Sequence, residues 1–270
     1  MESITKSIYN IRLLDELAAR NTIIHKINPI VKLLVTIIYL LVVLSFGKYD
    51  IIGLLPYVFY PIIVFILSEV PFLPMFRRSL IVLPFVIGVG IFNPLFDTKT
   101  YIIIWGIHIS SGWISFASLI IKSSLTVLAG LLLIATTGIE KISLALRKLF
   151  VPKIFVTQFV LTYRYISVLL EETAQIIKAY HLRAPMQKGV SFKVSGSLLG
   201  QILLRAFDRA NRVYDAMILR GFHGEYFFAV DSSLSIASIT YLFLWGTFFL
   251  TARLFNIPEL LGKIITGVIT

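Results

Sequence analysis

The chain has 270 residues, of which 57% are hydrophobic and 14% charged, with a formal charge of +11 and a mean hydropathy of +0.89. Globular chains keep their apolar fraction near or below about half, so this composition belongs to an integral membrane protein. The sequence contains no cysteine, which removes disulfides, thiolate metal sites, iron–sulfur clusters and thiol catalysis.

The opening residues MESITKSIYNIRLLDELAARN lack a basic region followed by an apolar core and a small-residue cleavage site, and are read as part of the mature chain. A helix needs roughly 17–25 apolar residues to cross about 30 Å of hydrocarbon. Four such runs come early, at about Ile30–Phe46, Ile51–Leu67, Leu80–Leu95 and Trp113–Thr137, and a fifth at about Leu234–Phe255. The third is interrupted by Pro84, Gly88, Gly90 and Pro94, which predicts a place inside a helix bundle, where neighbours can satisfy the disturbed backbone.

The distribution of Lys and Arg sets the orientation. With the N-terminus in the cytoplasm, the inner segments hold Lys6, Arg12, Arg20, Lys26, Lys32, Arg77, Arg78 and the whole stretch between the fourth and fifth runs. The outer loops and the tail then hold only Lys48, Lys99 and Lys263, and the C-terminus lies outside. Lys122 and Arg253, within or near span ends, are expected to snorkel to the headgroups.

Residues 140–230 carry thirteen basic and six acidic side chains, +7 of the net charge, yet remain rich in Leu, Ile, Val and Phe. One helix is predicted from about Phe155 to Leu182, bounded by Pro152 and Pro185. A second is predicted from Ser195 to Arg220, where Leu199, Leu203, Ala206, Ala210, Val213 and Met217 recur at helical spacing. Arg205, Asp208, Arg209, Arg212 and Asp215 fall on the other face, which reads as exposed. The intervening QKGVSFKVSG is polar and reads as a connection.

Both helices end alike. The second stops in LRG, Leu219 to Gly221, and 37 residues upstream the first stops in LRA, Leu182 to Ala184, before Pro185. A cation in the last turn and a glycine behind it are ordinary helix-end chemistry. Two such tips in one basic segment point further, to docking, because a guanidinium pairs bidentately with carboxylates of a partner.

Catalytic and metal chemistry find no support. His25, His108, His181 and His223 are scattered singly, no acidic cluster lies in a span, and no Ser/His/Asp set stands out, so no metal, cofactor or catalytic residue is assigned. There is no G-x-x-x-x-G-K-[ST], so ATP, if used, binds to another subunit. The basic charge follows from the positive-inside rule, and nothing indicates a nucleic-acid partner.

The run LLDELAARNTIIHKINPIVKLL (Leu13–Leu34), the run LTYRYISVLLEE (Leu161–Glu172) and the tips LRA and LRGFHG resemble, in order along the chain, the transmembrane T component of energy-coupling factor transporters, in its CbiQ-type cobalt and nickel branch. The first tip departs from the usual Ala-Arg-Gly form by carrying Leu182 and Ala184. The resemblance implies an all-α membrane protein of about five spans: residues 1–138 with four of them, a cytoplasmic helical coupling domain at 139–231, and residues 232–270 with the last span and an outer tail. It implies a non-catalytic subunit that transmits the motion of two ATP-binding-cassette ATPases to a separate substrate-binding subunit. Leu182, Arg183, Ala184, Leu219, Arg220 and Gly221 would meet the ATPases, and Leu199, Leu203, Ala206, Val213 and Met217 the membrane subunit. A vitamin-type T component is the alternative. A stand-alone carrier or channel is disfavoured by the scarcity of acidic residues within the spans.

Overall fold

The computed structural model describes residues 13–97, 100–104, 107–184, 189–224 and 235–255. They divide into two compact units: Leu17–Gly138 with the segment beginning at Ser232, and Ile139–Asp231 with the N-terminal segment ending at Glu16.

The first unit holds the apolar runs. Helix α1 (Pro29–Leu44) opens with Pro29 at its first position, and the Asn28 side chain accepts a hydrogen bond from the Ile30 amide at 3.0 Å. A proline without an N–H and an Asn cap are the expected solution to the unsatisfied first turn. A 3₁₀ turn (Ile52–Val58), with Pro56 inside it, runs into α2 (Phe59–Ser68). The third run is broken into α3 (Phe72–Ser79), α4 (Leu83–Gly90) and α5 (Phe92–Phe96). A short antiparallel hairpin, β1 (Thr100–Ile104) with β2 (Ile107–Ser110), leads into α6 (Ser111–Thr137), and α10 (Ile236–Phe255) closes the unit. Helices α6 and α10 and the broken stretch Phe72–Phe96 are long and apolar enough to cross a membrane, while Pro29–Leu44 and Ile52–Ser68 are shorter apolar helices. All five expected runs are therefore helical, and the hairpin is the one departure from an all-α chain among the described residues.

Helix α6 packs against α1 to α5. Gly90 sits where an added Cβ would be 2.8 Å from Phe116, and Gly112 where one would be 2.5 Å from the Asn93 carbonyl oxygen. These glycines explain how the interrupted run lies against α6. The expected place inside a bundle is met on one side: Val86 and Gly90 are buried, while Phe85 is 75% exposed and Ile91, Phe92 and Leu95 also face outward. Among the described residues, only one side of the broken run has a neighbour.

The centre of the unit is aromatic. Tyr39, Tyr57, Tyr60, Trp245 and Phe249 cluster, with Tyr39 and Tyr60 ring centroids 4.7 Å apart and Tyr60 and Trp245 4.8 Å apart edge-to-face. The Tyr39 hydroxyl donates to the Tyr57 carbonyl at 3.1 Å and the Tyr57 hydroxyl to the Phe249 carbonyl at 2.9 Å. Without a solvent-driven hydrophobic force in lipid, close packing and such bonds hold α1, α2 and α10 together.

Lys122 and Arg253 reach main-chain carbonyls. Lys122 donates to the Phe46 and Gly47 carbonyls at 2.7 and 2.9 Å, and Arg253 to the Ser45 carbonyl at 3.2 Å with its guanidinium over the Phe46 ring. Both cations serve the carbonyls just past the end of α1, where the helix dipole is negative. At the other end of α6, buried Lys32 donates to the Thr136 carbonyl at 2.7 Å.

The second unit contains α7 (Ile139–Lys148), α8 (Lys153–Arg183) and α9 (Phe192–Leu219). Glu140 in the first turn of α7 and Arg147 and Lys148 in its last complement the dipole. Helix α8 packs against α7 and α9 and buries Val156, Val160 and Ile176. By length and composition α8 also qualifies as a span. The Tyr163 hydroxyl donates to Asp15 at 2.7 Å, which ties the N-terminal segment to α8.

Candidate functional site

The second unit presents two helix tips and a groove. Helix α8 ends at Arg183 with Ala184 as its cap, the Ala184 amide bonding the Tyr180 carbonyl at 3.0 Å. Helix α9 ends at Leu219 with Arg220 as its cap. There the Gly221 amide bonds the Ile218 carbonyl at 2.9 Å and the Phe222 amide bonds the Met217 carbonyl at 3.0 Å, with Gly221 at φ +81°. This is the paired 6→1 and 5→2 arrangement that ends a helix through a left-handed residue, and it explains the glycine of LRG.

That closure bears on the arginine. The carbonyls of Met217 and Ile218 are satisfied by backbone amides, so Arg220 is not needed to cap them. Arg183 and Arg220 are exposed, and neither guanidinium forms a hydrogen bond or ion pair with any described residue. Each stands beside an exposed leucine, Leu182 at 75% and Leu219 at 88%. An exposed leucine beside an exposed guanidinium thus recurs at the ends of both long helices.

Between α8 and α9 runs an open groove of about 680 Å³. From α8 it is lined by residues that include Leu161, Tyr165 and Leu169, and from α9 by Ala206, Val213 and Met217. The apolar residues of α9 that the sequence places on one face are thus divided. Ala206, Val213 and Met217 are half-buried along the groove, whereas Leu199 and Leu203 are exposed with Phe207 and Ile218 in a second stripe. Two apolar stripes one residue out of step explain why the helix reads as amphipathic in sequence yet leaves many large apolar side chains uncovered.

Arg209 is the residue that sequence reasoning misplaced. It is not on an exposed face: it is half-buried in the groove and forms an ion pair with Glu172 of α8. Its Nε has no acceptor among the described residues. Periodicity alone could not reveal the pair, because Glu172 lies 37 residues away on another helix.

Among the described residues no three His, Asp or Glu side chains gather as a metal site. His25 instead bridges Thr22, at 2.7 Å, and the Leu17 carbonyl, at 2.9 Å.

The family model for CbiQ, described as a cobalt transport protein, matches residues 20–229. The chain belongs to the CbiQ cobalt transport protein family. The matched CbiQ region contains α1 to α9 and both tips and ends before α10. Its membership of a CbiQ transport family fits the long apolar helices of the first unit. Over 186 residues it is 26% identical to an uncharacterized protein of Methanocaldococcus jannaschii, a match covering 65% of this chain and 64% of that relative, so the chain spans less than two thirds of the relative's length.

Proposed function

We propose that the chain is the T component of an energy-coupling factor importer for cobalt or nickel, transmitting the movement of two cytoplasmic ATPases to a separate substrate-binding membrane subunit without chemistry of its own. The observation that carries this reading is the pair of exposed arginine tips: Arg183 and Arg220 each end a long helix of one unit, each beside an exposed leucine, and neither guanidinium bonds to another described residue. In this reading Leu182, Arg183 and Ala184 enter one ATPase, and Leu219, Arg220 and Gly221 the other.

The exposed stripe of Leu199 and Leu203 and the groove face of Ala206, Val213 and Met217 then serve the substrate-binding subunit, so that a shift of either tip moves an apolar surface against it. The second unit lies on the cytoplasmic side in this reading, as do the N-terminal segment and the basic residues Arg77 and Arg78, following the positive-inside rule. Helix α8, though long and apolar enough to cross, remains outside the bilayer. Proteoliposomes that carry two such ATPases and a substrate-binding subunit test the proposal: ATP-driven Co²⁺ or Ni²⁺ uptake is expected only when this chain is included. Uptake of the same rate without it would contradict the coupling role.

A further inference from the structure

A second polar pocket, of about 650 Å³, lies in the first unit between the loop that precedes α1 and the end of α2. Because the loop enters α1 and the other wall closes α2, both walls belong to the same end of this helix pair, the end that the proposed orientation puts at the headgroups.

Its lining is mixed in a particular way. Arg20 and Lys26 supply two exposed cations, and Asn21 and Thr22 supply uncharged polar groups. Ile23 and Ile66, each 70% exposed, and Leu67 supply aliphatic surface beside them. Glu69 is the one carboxylate, leaving the lining at +1.

The walls are held in place. Thr22 bonds His25 and His25 bonds the Leu17 carbonyl, while Ile24 and Ile27 are buried beneath the loop. Glu69 follows α2 in the left-handed conformation, φ 54°, and its carbonyl accepts from Arg20 Nη1 at 2.6 Å. That bond fixes the guanidinium at the rim through one nitrogen and leaves its remaining N–H groups directed elsewhere than the Glu69 main chain.

From this juxtaposition we propose that the pocket binds the headgroup of an anionic glycerophospholipid, its phosphodiester between Arg20 and Lys26 and an acyl chain along Ile23, Ile66 and Leu67. The exposed aliphatic wall argues for a lipid over a soluble phosphate, since only a lipid brings a chain to cover it. The positive balance argues for an anionic lipid over a zwitterionic one, as basic pockets at helix ends favour anionic headgroups. The carboxylate of Glu69 then accepts from headgroup hydroxyls of a lipid such as phosphatidylglycerol.

The experiment is native mass spectrometry of the full chain released from a neutral detergent, titrated in parallel with phosphatidylglycerol, phosphatidylcholine and inorganic phosphate. A single preferred site for phosphatidylglycerol is expected. Each cation near a headgroup is worth roughly five-fold in affinity, so Lys26→Gln should weaken it about five-fold and Arg20→Gln with Lys26→Gln roughly 25-fold. Ile66→Ser should weaken lipid without affecting phosphate, and Arg77→Gln with Arg78→Gln, outside the pocket, should change neither. Lys26→Gln leaves the Arg20–Glu69 bond intact, so its result stands even if the double variant folds poorly. Equal binding of the two lipids, phosphatidylglycerol binding indifferent to Lys26→Gln, or phosphate displacing the lipid with equal affinity would each overturn the proposal.

Discussion

Arg209 of α9 and Glu172 of α8 form the ion pair that bridges the two long helices. Both side chains are largely covered, with about a third of Arg209 and a fifth of Glu172 still exposed. Arg209 is therefore part of what fixes the angle between the helices, and its charge cannot be reversed as a harmless control. Arg205, exposed on the same helix, can be.

The expected consequence is a stability effect. Removing one partner of a buried pair costs about 3–5 kcal/mol, and partial exposure here reduces this to roughly 1–2 kcal/mol. Arg209→Glu should lower the thermal midpoint in detergent more than Arg205→Glu, and the swap of Glu172→Arg with Arg209→Glu should recover part of the loss. Equal midpoints for Arg209→Glu and Arg205→Glu would show the pair to be without weight.

Gly221 offers a purely conformational test. An added Cβ meets nothing within 4 Å, so Gly221→Ala creates no clash and costs only the left-handed backbone at φ +81°, about 1 kcal/mol. Gly221→Asn should be milder. Fraying of the last turn of α9 is the expected effect, read as faster amide exchange at Gly221 and Phe222. Exchange unchanged in both variants would contradict the turn geometry.

Gly112 offers the opposite case. Its Cβ would fall 2.5 Å from the Asn93 carbonyl oxygen, 2.6 Å from Pro94 Cα and 2.8 Å from the Asp97 carbonyl oxygen, all backbone atoms that cannot move aside cheaply. Gly112→Ala should cost at least about 1–3 kcal/mol and reduce the yield of monodisperse protein. Gly88→Ala, with open space at its Cβ, is the matched control and should behave as wild type. Indistinguishable size-exclusion profiles for the two would count against the packing of α5 on α6.

Orientation is tested by cysteine labelling, which the absence of native cysteine makes clean. A cysteine at Lys48, between α1 and the 3₁₀ turn, should react with an impermeant reagent from outside, and one at Gly189, between α8 and α9, only after the membrane is opened. The reverse pattern would invert the topology.

The sequence was legible where a single element decides the outcome. The five apolar runs, the two long helices and the glycine stop at Gly221 follow from hydropathy, period and backbone chemistry within one segment, and the structure shifts the ends of the long helices by only one to three residues, to Lys153–Arg183 and Phe192–Leu219. The sequence was illegible where two distant segments decide it. Glu172 with Arg209, Lys122 and Arg253 with the carbonyls after α1, and the split of α9 into two stripes all depend on which helix lies alongside. The tail beyond residue 255, including the expected outer C-terminus, and Pro185 and Lys188 of the connection lie outside the described residues. The tips were readable as arginines at helix ends; what the sequence could not tell was that backbone amides close α9 by themselves, with no described residue bonding the Arg220 guanidinium.

That last point defines the central measurement. The full chain, wild type or with Arg183→Glu and Arg220→Glu together, is co-expressed with the two ATPases of the proposed complex and captured, with thermal stability measured in parallel. If the arginines are docking residues in partly desolvated grooves, losing one costs about 2–5 kcal/mol of binding, roughly 30- to 3,000-fold in affinity, and the doubly reversed chain should recover no ATPase while melting as wild type. Arg205→Glu should retain it. Normal ATPase recovery with the doubly reversed chain would contradict the account and reduce both arginines to helix ends.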